Sequence, residues 1–492
     1  MDTLEYVSIG IYLLMMIAIG VYSYRKSNQS SEDFLIGGRK MGALVTALSA
    51  GAADMSGWLL MGLPGAMYVV GLSSSWLAIG LTIGAFFNYI LVAPRLRVYS
   101  EVAQNSITIP IFFENRFKDK SHVLKLVSSI IILVFFTLYT SSGMVAGGKL
   151  FESAFGLDYH FGLILTSLVV VLYTFLGGFL AVSLTDFVQG TIMVLALILV
   201  PIVVVSEIGS VSETIDFIKQ DDLTNLSWFQ GTSFVSIISL IAWGLGYFGQ
   251  PHILVRFMAI DKLSELKKAR NFGITWMIFC VGGAMLIGLV GIAYMTKNNQ
   301  TIADPETIFI YFSRVLFHPL IAGFLLSAIL AAVMSTISSQ LLVTSSSMTE
   351  DFYHAFLNKK ASDKTLLLVS RISVLIVSII ALILALFPND SILNLVGYAW
   401  AGFGSAFGPV MLLALLWKGT SRIGALVGII SGGLIVLLWM ILEHPYKDLY
   451  AMIPAFLISF VLILIFSKLF PDHNSEIENE FEQVDSIIEN EY

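Results

Sequence analysis

The sequence predicts an all-helical, polytopic membrane protein of thirteen spans. Three observations carry that prediction: a composition almost bare of charge, a series of apolar runs long enough to cross a bilayer, and Lys and Arg residues gathered on one side of those runs. Of 492 residues, 57% are hydrophobic and only 12% charged, with a mean hydropathy of +0.85. Soluble domains carry about 25% charged residues, so a soluble enzyme is excluded at the first step. The single cysteine, Cys280, excludes a disulfide framework and a Cys-rich metal site, and the seven histidines show no ligand spacing.

Crossing roughly 30 Å of hydrocarbon takes about 20 helical residues. Runs of that kind cover 4–24, 42–70, 75–94, 126–148, 161–183, 187–206, 231–255, 271–296, 320–347, 367–388, 392–417, 423–442 and 450–470. They are continuous stretches without the ten-residue alternation of a β-barrel.

Orientation follows from charge. Met1-Asp2-Thr3-Leu4-Glu5 is acidic, and Arg25 and Lys26 come only after the first run. That order predicts an outside N-terminus and no cleaved signal peptide. An odd number of spans then places the C-terminus in the cytoplasm. Of the 27 Lys and Arg residues, only Lys149, Lys219, Lys297, Arg314 and Lys447 fall outside. The rest lie in segments assigned to the cytoplasm, among them Arg39, the basic stretch 95–125 and the loop from Arg256 to Arg270. Those two basic segments suit anionic lipid headgroups.

Two spans are interrupted. Span 2 reads ALVTALSAGAADMSGWLLMGLPGAMYVV, and Asp54 is the only charged residue between Met41 and Pro94. A carboxylate at that depth costs a few kcal/mol, so it needs a partner or a water-filled cavity. Gly51 and Gly57 flank it and allow the helix to break; a packing helix whose Asp caps a kinked half-helix is the plainer alternative. Span 7 carries AWGLGYFGQPHILVRF, with Gly244, Gly246, Gly249 and Pro251 in a stretch free of charge from Leu223 to Val255. Two interrupted helices five spans apart point to inverted repeats, spans 2–6 (42–206) and spans 7–11 (231–418). Residues 1–41 precede them, and spans 12–13 (423–470) and an acidic tail (471–492) follow.

Span 9 supplies a third element, a hydroxyl series that includes Ser335, Thr336, Ser338 and Ser339. Ser335 and Ser339 lie one helical turn apart with Thr336 beside them. Such residues commonly serve packing or bond back to the preceding turn. A broken helix offering carbonyls beside a helix offering hydroxyls also gives a monovalent cation its oxygens without a buried net charge. His252, beside Pro251, is expected to pack at the inner end of span 7 rather than relay protons. The chain lacks the G-x-x-x-x-G-K-[ST] phosphate loop of ATP-driven transport. Leu395-Val396-Gly397-Tyr398-Ala399 lacks the flanking residues of a potassium filter.

The stretches ALSAGAADMSGWLLMGLPGA (47–66), GLGYFGQPHILVRFMA (244–259) and AAVMSTISSQLLV (331–343) resemble the solute:sodium symporter family. FLIGGRKMG (34–42), VAGGKLFESAFG (145–156) and GGFLAVSLTDFVQ (177–189) extend the likeness to about residue 470. The resemblance implies a leucine-transporter-type core of two inverted five-helix repeats, with one span before and two after. It also implies a sodium site between spans 2 and 9, from the carbonyls of Ala52, Met55 and Ala332 and the hydroxyls of Ser335 and Thr336. Asp54 and Ser339 are implied in sodium coupling. For the solute it points to L-proline, held by Trp58, Tyr139, Trp243, Tyr247 and Pro251 around the ring and by Ser56 and Gly57 near the amino-acid head. Arg39 and Asp186 match family positions and read either as gate or supporting residues on the cytoplasmic side or as solvated interface charges.

The expectation is therefore sodium-coupled proline uptake across the cytoplasmic membrane by alternating access. The partners are sodium, proline and the bilayer, with no enzyme activity, organic cofactor, transition metal or nucleic acid. A sister symporter for pantothenate, a sugar or another amino acid, and a cation channel lined by spans 2 and 9, are the alternatives. The net charge of −7 is local: the tail carries eight acidic residues and no Lys or Arg, and without those eight the chain stands at +1. The tail is expected to be cytoplasmic and flexible.

Overall fold

The computed structural model describes residues 3–26, 31–388, 390–442, 445–446, 448–472 and 474–492. The expectations placed on Met1, Asp2 and Lys447 lie outside them.

The first span is α1 (Thr3–Lys26), and the second is a broken pair, α2 (Ala43–Asp54) and α3 (Leu63–Val70). Helix α2 stops because Met55 leaves helical geometry (φ −82°, ψ 80°), and the chain re-enters a helix through a wide π turn over Trp58–Gly62. Pro64 sits in the first turn of α3, where its missing N–H costs nothing. Helix α4 (Ser75–Phe87) passes through a second π turn, Asn88–Val92, into α5 (Ala93–Val102). Then come α6 (Val123–Phe155) and the 50-residue α7 (Tyr159–Ile208).

Helix α7 contains two spans, and their junction differs from the expected one. The chain kinks at Gly178 (φ 54°, ψ −145°), not between residues 183 and 187. Only glycine fits there: a Cβ would also meet the Phe34 carbonyl oxygen at 2.7 Å. The earlier kink places Asp186 two turns inside the second half of α7, where its side chain is fully buried.

Span 7 is again broken. Helix α8 (Phe234–Ile241) tightens into a 3₁₀ stretch over Ala242–Gly249, and Gln250 is extended (φ −83°, ψ 106°). Pro251 then opens α9 (Pro251–Ala259) at a bend of 45°. The stretch has no room for side chains against α4: a Cβ on Gly84 would lie 2.1 Å from the Gly244 carbonyl oxygen. The remaining long helices are α10 (Leu266–Asn298), α11 (Pro319–Ser346), α12 (Asp363–Ala385), α13 (Ile392–Leu416), α14 (Arg422–Ile441) and α15 (Met452–Leu469), with short helices at Ser31–Ile36, Ile109–Arg116, Val211–Asp221 and Ile308–Val315 in the connections. Divided at Gly71 and Gly178, with each broken pair taken as one span, this order accommodates the thirteen crossings expected. Helix α11 is deeply enclosed, its middle buried between α1, α2, α6, α7 and α12.

The tail departs from expectation. Residues Ser475–Glu491 form a helix, α16, whose Ile477, Phe481 and Val484 are buried at the spacing of one helical face. Its acidic face meets the basic loops: Glu476 and Glu480 bridge Lys118 at 3.0 and 2.5 Å, and Asp485 pairs with Arg95. The Arg116 guanidinium lies over the rings of Tyr99, Phe117 and Phe481. Glu476, Glu480 and Asp485 are thus an ordered counterweight to the stretch 95–125, and matching charge with an apolar stripe is what orders the helix.

Candidate functional site

Where α2 ends, its last carbonyls have no following turn to accept from, and they carry the negative end of the helix dipole. Helix α11 faces them with hydroxyls. Ser335 Oγ lies 2.7 Å from the Ala52 carbonyl oxygen and 3.1 Å from that of Ala332, and Thr336 Oγ1 donates to Ala332 at 3.1 Å. All four residues are buried. The hydroxyls hold oxygens together that a cation would otherwise gather, and each hydroxyl keeps lone pairs free to turn toward such an ion. Met55 stands at the break with its amide on the Gly51 carbonyl, and its ψ of 80° turns its own carbonyl off the helix axis. The cluster is all oxygen and formally neutral.

Asp54 is the adjoining residue, 1% exposed. Its Oδ2 accepts from the Tyr247 hydroxyl. Its main-chain oxygen accepts from Trp58 Nε1 at 3.2 Å and the Tyr139 hydroxyl at 3.4 Å. Three of the expected aromatic residues therefore converge on the break in span 2, and one of them, Tyr247, reaches across from span 7. Trp400 crosses Tyr247 edge-on with centroids 5.2 Å apart and donates its Nε1 to the Trp243 carbonyl at 2.8 Å. Gln250 Nε2 donates to the Trp400 carbonyl at 3.1 Å. The Trp243 ring stacks on Tyr450 with centroids 5.2 Å apart. Pro251 is buried in the first turn of α9. Gly57 serves close packing, since a Cβ would come within 2.7 Å of the Ala146 side chain. The buried Ser56 hydroxyl has no hydrogen-bond partner among the described residues. Beside Asp54 and Tyr247 lies a cavity of about 30 Å³, room for one or two waters.

A second polar junction joins α2, α7, α9 and α11. Asp186 Oδ2 accepts from Ser49 Oγ at 2.6 Å and faces Arg256 at 3.4 Å. Arg256 also donates to Ser339 Oγ at 2.6 Å and to the His252 carbonyl at 2.7 Å. Both charged side chains are fully buried. Two expectations change here. Arg256, assigned to a cytoplasmic loop, is part of the core, because α9 begins only at Pro251 and runs inward for two further turns. Asp186 is not a solvated interface charge. Ser339 faces this ion pair, and no hydrogen bond links it to the Ala52 cluster among the described residues.

Arg39 is likewise buried, held by Ser100 Oγ at 3.0 Å and by the carbonyls of Met258 and Ser106 at 2.6 and 2.8 Å. It ties the entry to α2 to the end of α9, as do the backbone bonds from Met41 N to Ala259 O and from Asp261 N to Met41 O. His252 packs among Phe136 and Tyr139, with ring centroids at 5.4 and 6.1 Å. The sequence reading missed Arg256, Asn88 and Tyr89 as parts of this region. Only the excess of polar residues on an otherwise apolar α4 could have flagged the last two.

A family model described as the sodium:solute symporter family matches residues 34–432. The chain is 58% identical over 464 residues to the osmoregulated proline transporter OpuE of Bacillus subtilis (strain 168), covering 94% of each chain. It is 52% identical to the sodium/proline symporter of Staphylococcus aureus (strain JH9), covering 98% of this chain and 96% of the relative. Among solved structures, a sodium-coupled sialic acid symporter in a substrate-bound, outward-open state superposes with a TM-score of 0.82 at 20% identity, over 96% of this chain and all of the other. MhsT in complex with L-phenylalanine matches more distantly, with a TM-score of 0.51 at 13% identity over 87% of this chain and 98% of the other. The two broken spans five apart, the inverted-repeat fold those superpositions share and a family match across most of its length lead to one conclusion: the chain belongs to the sodium:solute symporter family.

Proposed function

We propose that the protein carries L-proline into the cell together with sodium by alternating access. One observation supports the ion half above all: the neutral oxygen cluster where Ser335 of α11 reaches the Ala52 carbonyl at the broken end of α2, with Thr336 beside it on the Ala332 carbonyl of its own helix. Sodium bound there would be held by the carbonyls of Ala52, Met55 and Ala332 and the hydroxyls of Ser335 and Thr336, with Asp54 alongside. The ion joins two elements that must part when the transporter changes face, so its affinity differs between the two states. That difference is what a ligand needs in order to shift a conformational equilibrium.

For the solute, the reading uses the aromatic group around Asp54 together with the near full-length likeness to two proline transporters. Trp58, Tyr139, Trp243, Tyr247 and Pro251 surround the pyrrolidine, and the amides of Ser56 and Gly57, at the start of the outer half of span 2, face the carboxylate. A cationic secondary amine suits aromatic faces. Arg39, Asp186 and Ser339 belong to the supporting structure on the inner side. The spans divide as 42–206 and 231–418 for the two repeats, with an outside N-terminus, a cytoplasmic C-terminus and the cytoplasmic membrane as the site of action. One charge falling through 100 mV supplies about 2.3 kcal/mol, enough to drive accumulation of a neutral solute.

The test is radiolabelled proline uptake into proteoliposomes under an imposed sodium gradient, with competing amino acids. Sodium-dependent accumulation of proline is expected. Sodium leak without accumulation would replace the symporter with a channel, and accumulation of another solute would replace proline.

A further inference from the structure

Folded chains pair nearly all the polar groups they bury. Asn88 is 1% exposed, and neither its amide nitrogen nor its amide oxygen has a hydrogen-bond partner among the described residues. The next residue, Tyr89, is 6% exposed and its hydroxyl is equally unpartnered. So is Oδ1 of Asp54. These three residues line one and the same cavity, the small one beside Tyr247. Asn88 also opens a π turn, a strained form of helix found mostly where function requires it. Unpaired donors and acceptors gathered on one cavity wall are a liability in a resting fold, and they make chemical sense as a place where something polar passes.

The cavity's position says which passage. Besides Gly273, Ile274 and Met277 of α10, its other walls come from α2 (Ala50, Gly51) and α9 (Ile253, Phe257). These are the halves of the broken spans whose ends Arg39 and Arg97 grip at the Met258 and Ile260 carbonyls. The cavity therefore lies between the Asp54 aromatic group and the face rich in Lys and Arg. It is smaller than an amino acid, and the Phe257 ring closes it by packing on Tyr89 with centroids 4.8 Å apart.

We propose that Asn88 and Tyr89 form an inner relay subsite that takes the zwitterionic head of the solute on its way to the cytoplasm. The inference rests on the reading of the protein as a proline symporter. The Asn88 amide N–H and the Tyr89 hydroxyl donate to the carboxylate, and Asn88 Oδ1 and Asp54 Oδ1 accept from the secondary ammonium. The subsite opens when α9 swings Phe257 off Tyr89.

The experiment uses the full-length protein with Asn88→Leu and, separately, Tyr89→Phe. Each removes a polar group without removing bulk. Deleting a partnerless polar group should leave the thermal unfolding temperature unchanged or raise it, which separates this role from a structural one. In proteoliposomes, half-saturation by external proline should stay within about twofold. From the inner face, read in inside-out vesicles, half-saturation should rise about tenfold and net release should slow by a similar factor, the scale of one lost hydrogen bond to a charged group. Unchanged inner-face constants, or equal losses on both faces, would overturn the proposal. Should wild-type protein carry a different amino acid, the proline reading falls, and the same two-faced measurement with that amino acid decides the role of Asn88.

Discussion

The two broken spans meet the same partner, α11, through junctions of opposite character. Helix α2 offers Ser335 and Thr336 a bare helix end: carbonyls, hydroxyls and no cation. Helix α9, one turn further along α11, offers Ser339 a guanidinium that is already paired with Asp186. One junction is backbone-made and lacks positive charge, and the other is side-chain-made and carries its own. A junction with a built-in cation has no use for a mobile one, whereas a junction held by a hydroxyl donating to a carbonyl, as Ser335 does to Ala52 at 2.7 Å, still has lone pairs to offer an ion. The difference teaches where coupling belongs. On the proposed reading, the α2 junction is the one whose strength the sodium concentration sets, and the α9 junction is a weld that holds without an added ion.

Removing the weld should have the largest effect. Arg256→Leu leaves the Asp186 carboxylate buried and uncompensated, which costs about 3–5 kcal/mol and should lower the unfolding temperature sharply. Arg256→Leu with Asp186→Leu should recover much of that loss, because the pair is then replaced and not broken. If the double variant is no more stable than the single, Asp186 is held by something other than Arg256.

Next comes the ion-dependent junction. Thr336→Ala should raise the sodium concentration for half-maximal uptake about tenfold, the weight of one ligand, with unfolding temperature in sodium-free buffer unchanged. A third prediction concerns the break in span 7. Trp400→Phe removes the bond to the Trp243 carbonyl and should raise the half-saturating proline concentration about fivefold, the scale of one neutral hydrogen bond, with sodium dependence intact. A shift in sodium dependence of similar size would merge the two breaks into one site.

The smallest effect lies outside the membrane. Burial pushes the Asp119 carboxyl up, but hydrogen bonds from Ser121, from the Leu124 and Ser121 amides and from Arg422 outweigh it and hold it below the ordinary value of 3.8. A depressed carboxylate contributes stability above its unfolded pKa and loses it as pH falls through the folded value. Asp119→Asn should therefore lower the unfolding temperature by a small amount at neutral pH, and the difference should shrink as the pH falls below the ordinary value of 3.8 and the carboxyl takes up its proton.

Much of this was legible in the sequence. The breaks in spans 2 and 7 were visible because Asp54 is alone in a charge-free stretch and because Gly and Pro cluster at 244–251. The Ser335 and Thr336 face was visible from helical spacing. Arg256 was not, because a cation one residue past a predicted span reads as a loop residue, and only a three-dimensional partner, Asp186, reveals it as core. Asp186 was misplaced for a local reason: Gly177-Gly178 gives no sign of which glycine takes the positive φ, and an error of five to nine residues in a kink turns a buried carboxylate into an interfacial one. Asn88 and Tyr89 belong to an apolar run in which a polar pair passes for packing, and their lack of partners is a property of the fold alone.

The docked helix α16 has a consequence for how the chain is made. Ribosomes release the N-terminal part first, and the loops around Arg95, Arg116 and Lys118 emerge some 350 residues before Glu476, Glu480 and Asp485. During insertion those loops therefore act with their full positive charge, undiluted by the carboxylates that later cover them. Net charge summed over the finished protein misstates the signal that positions the spans.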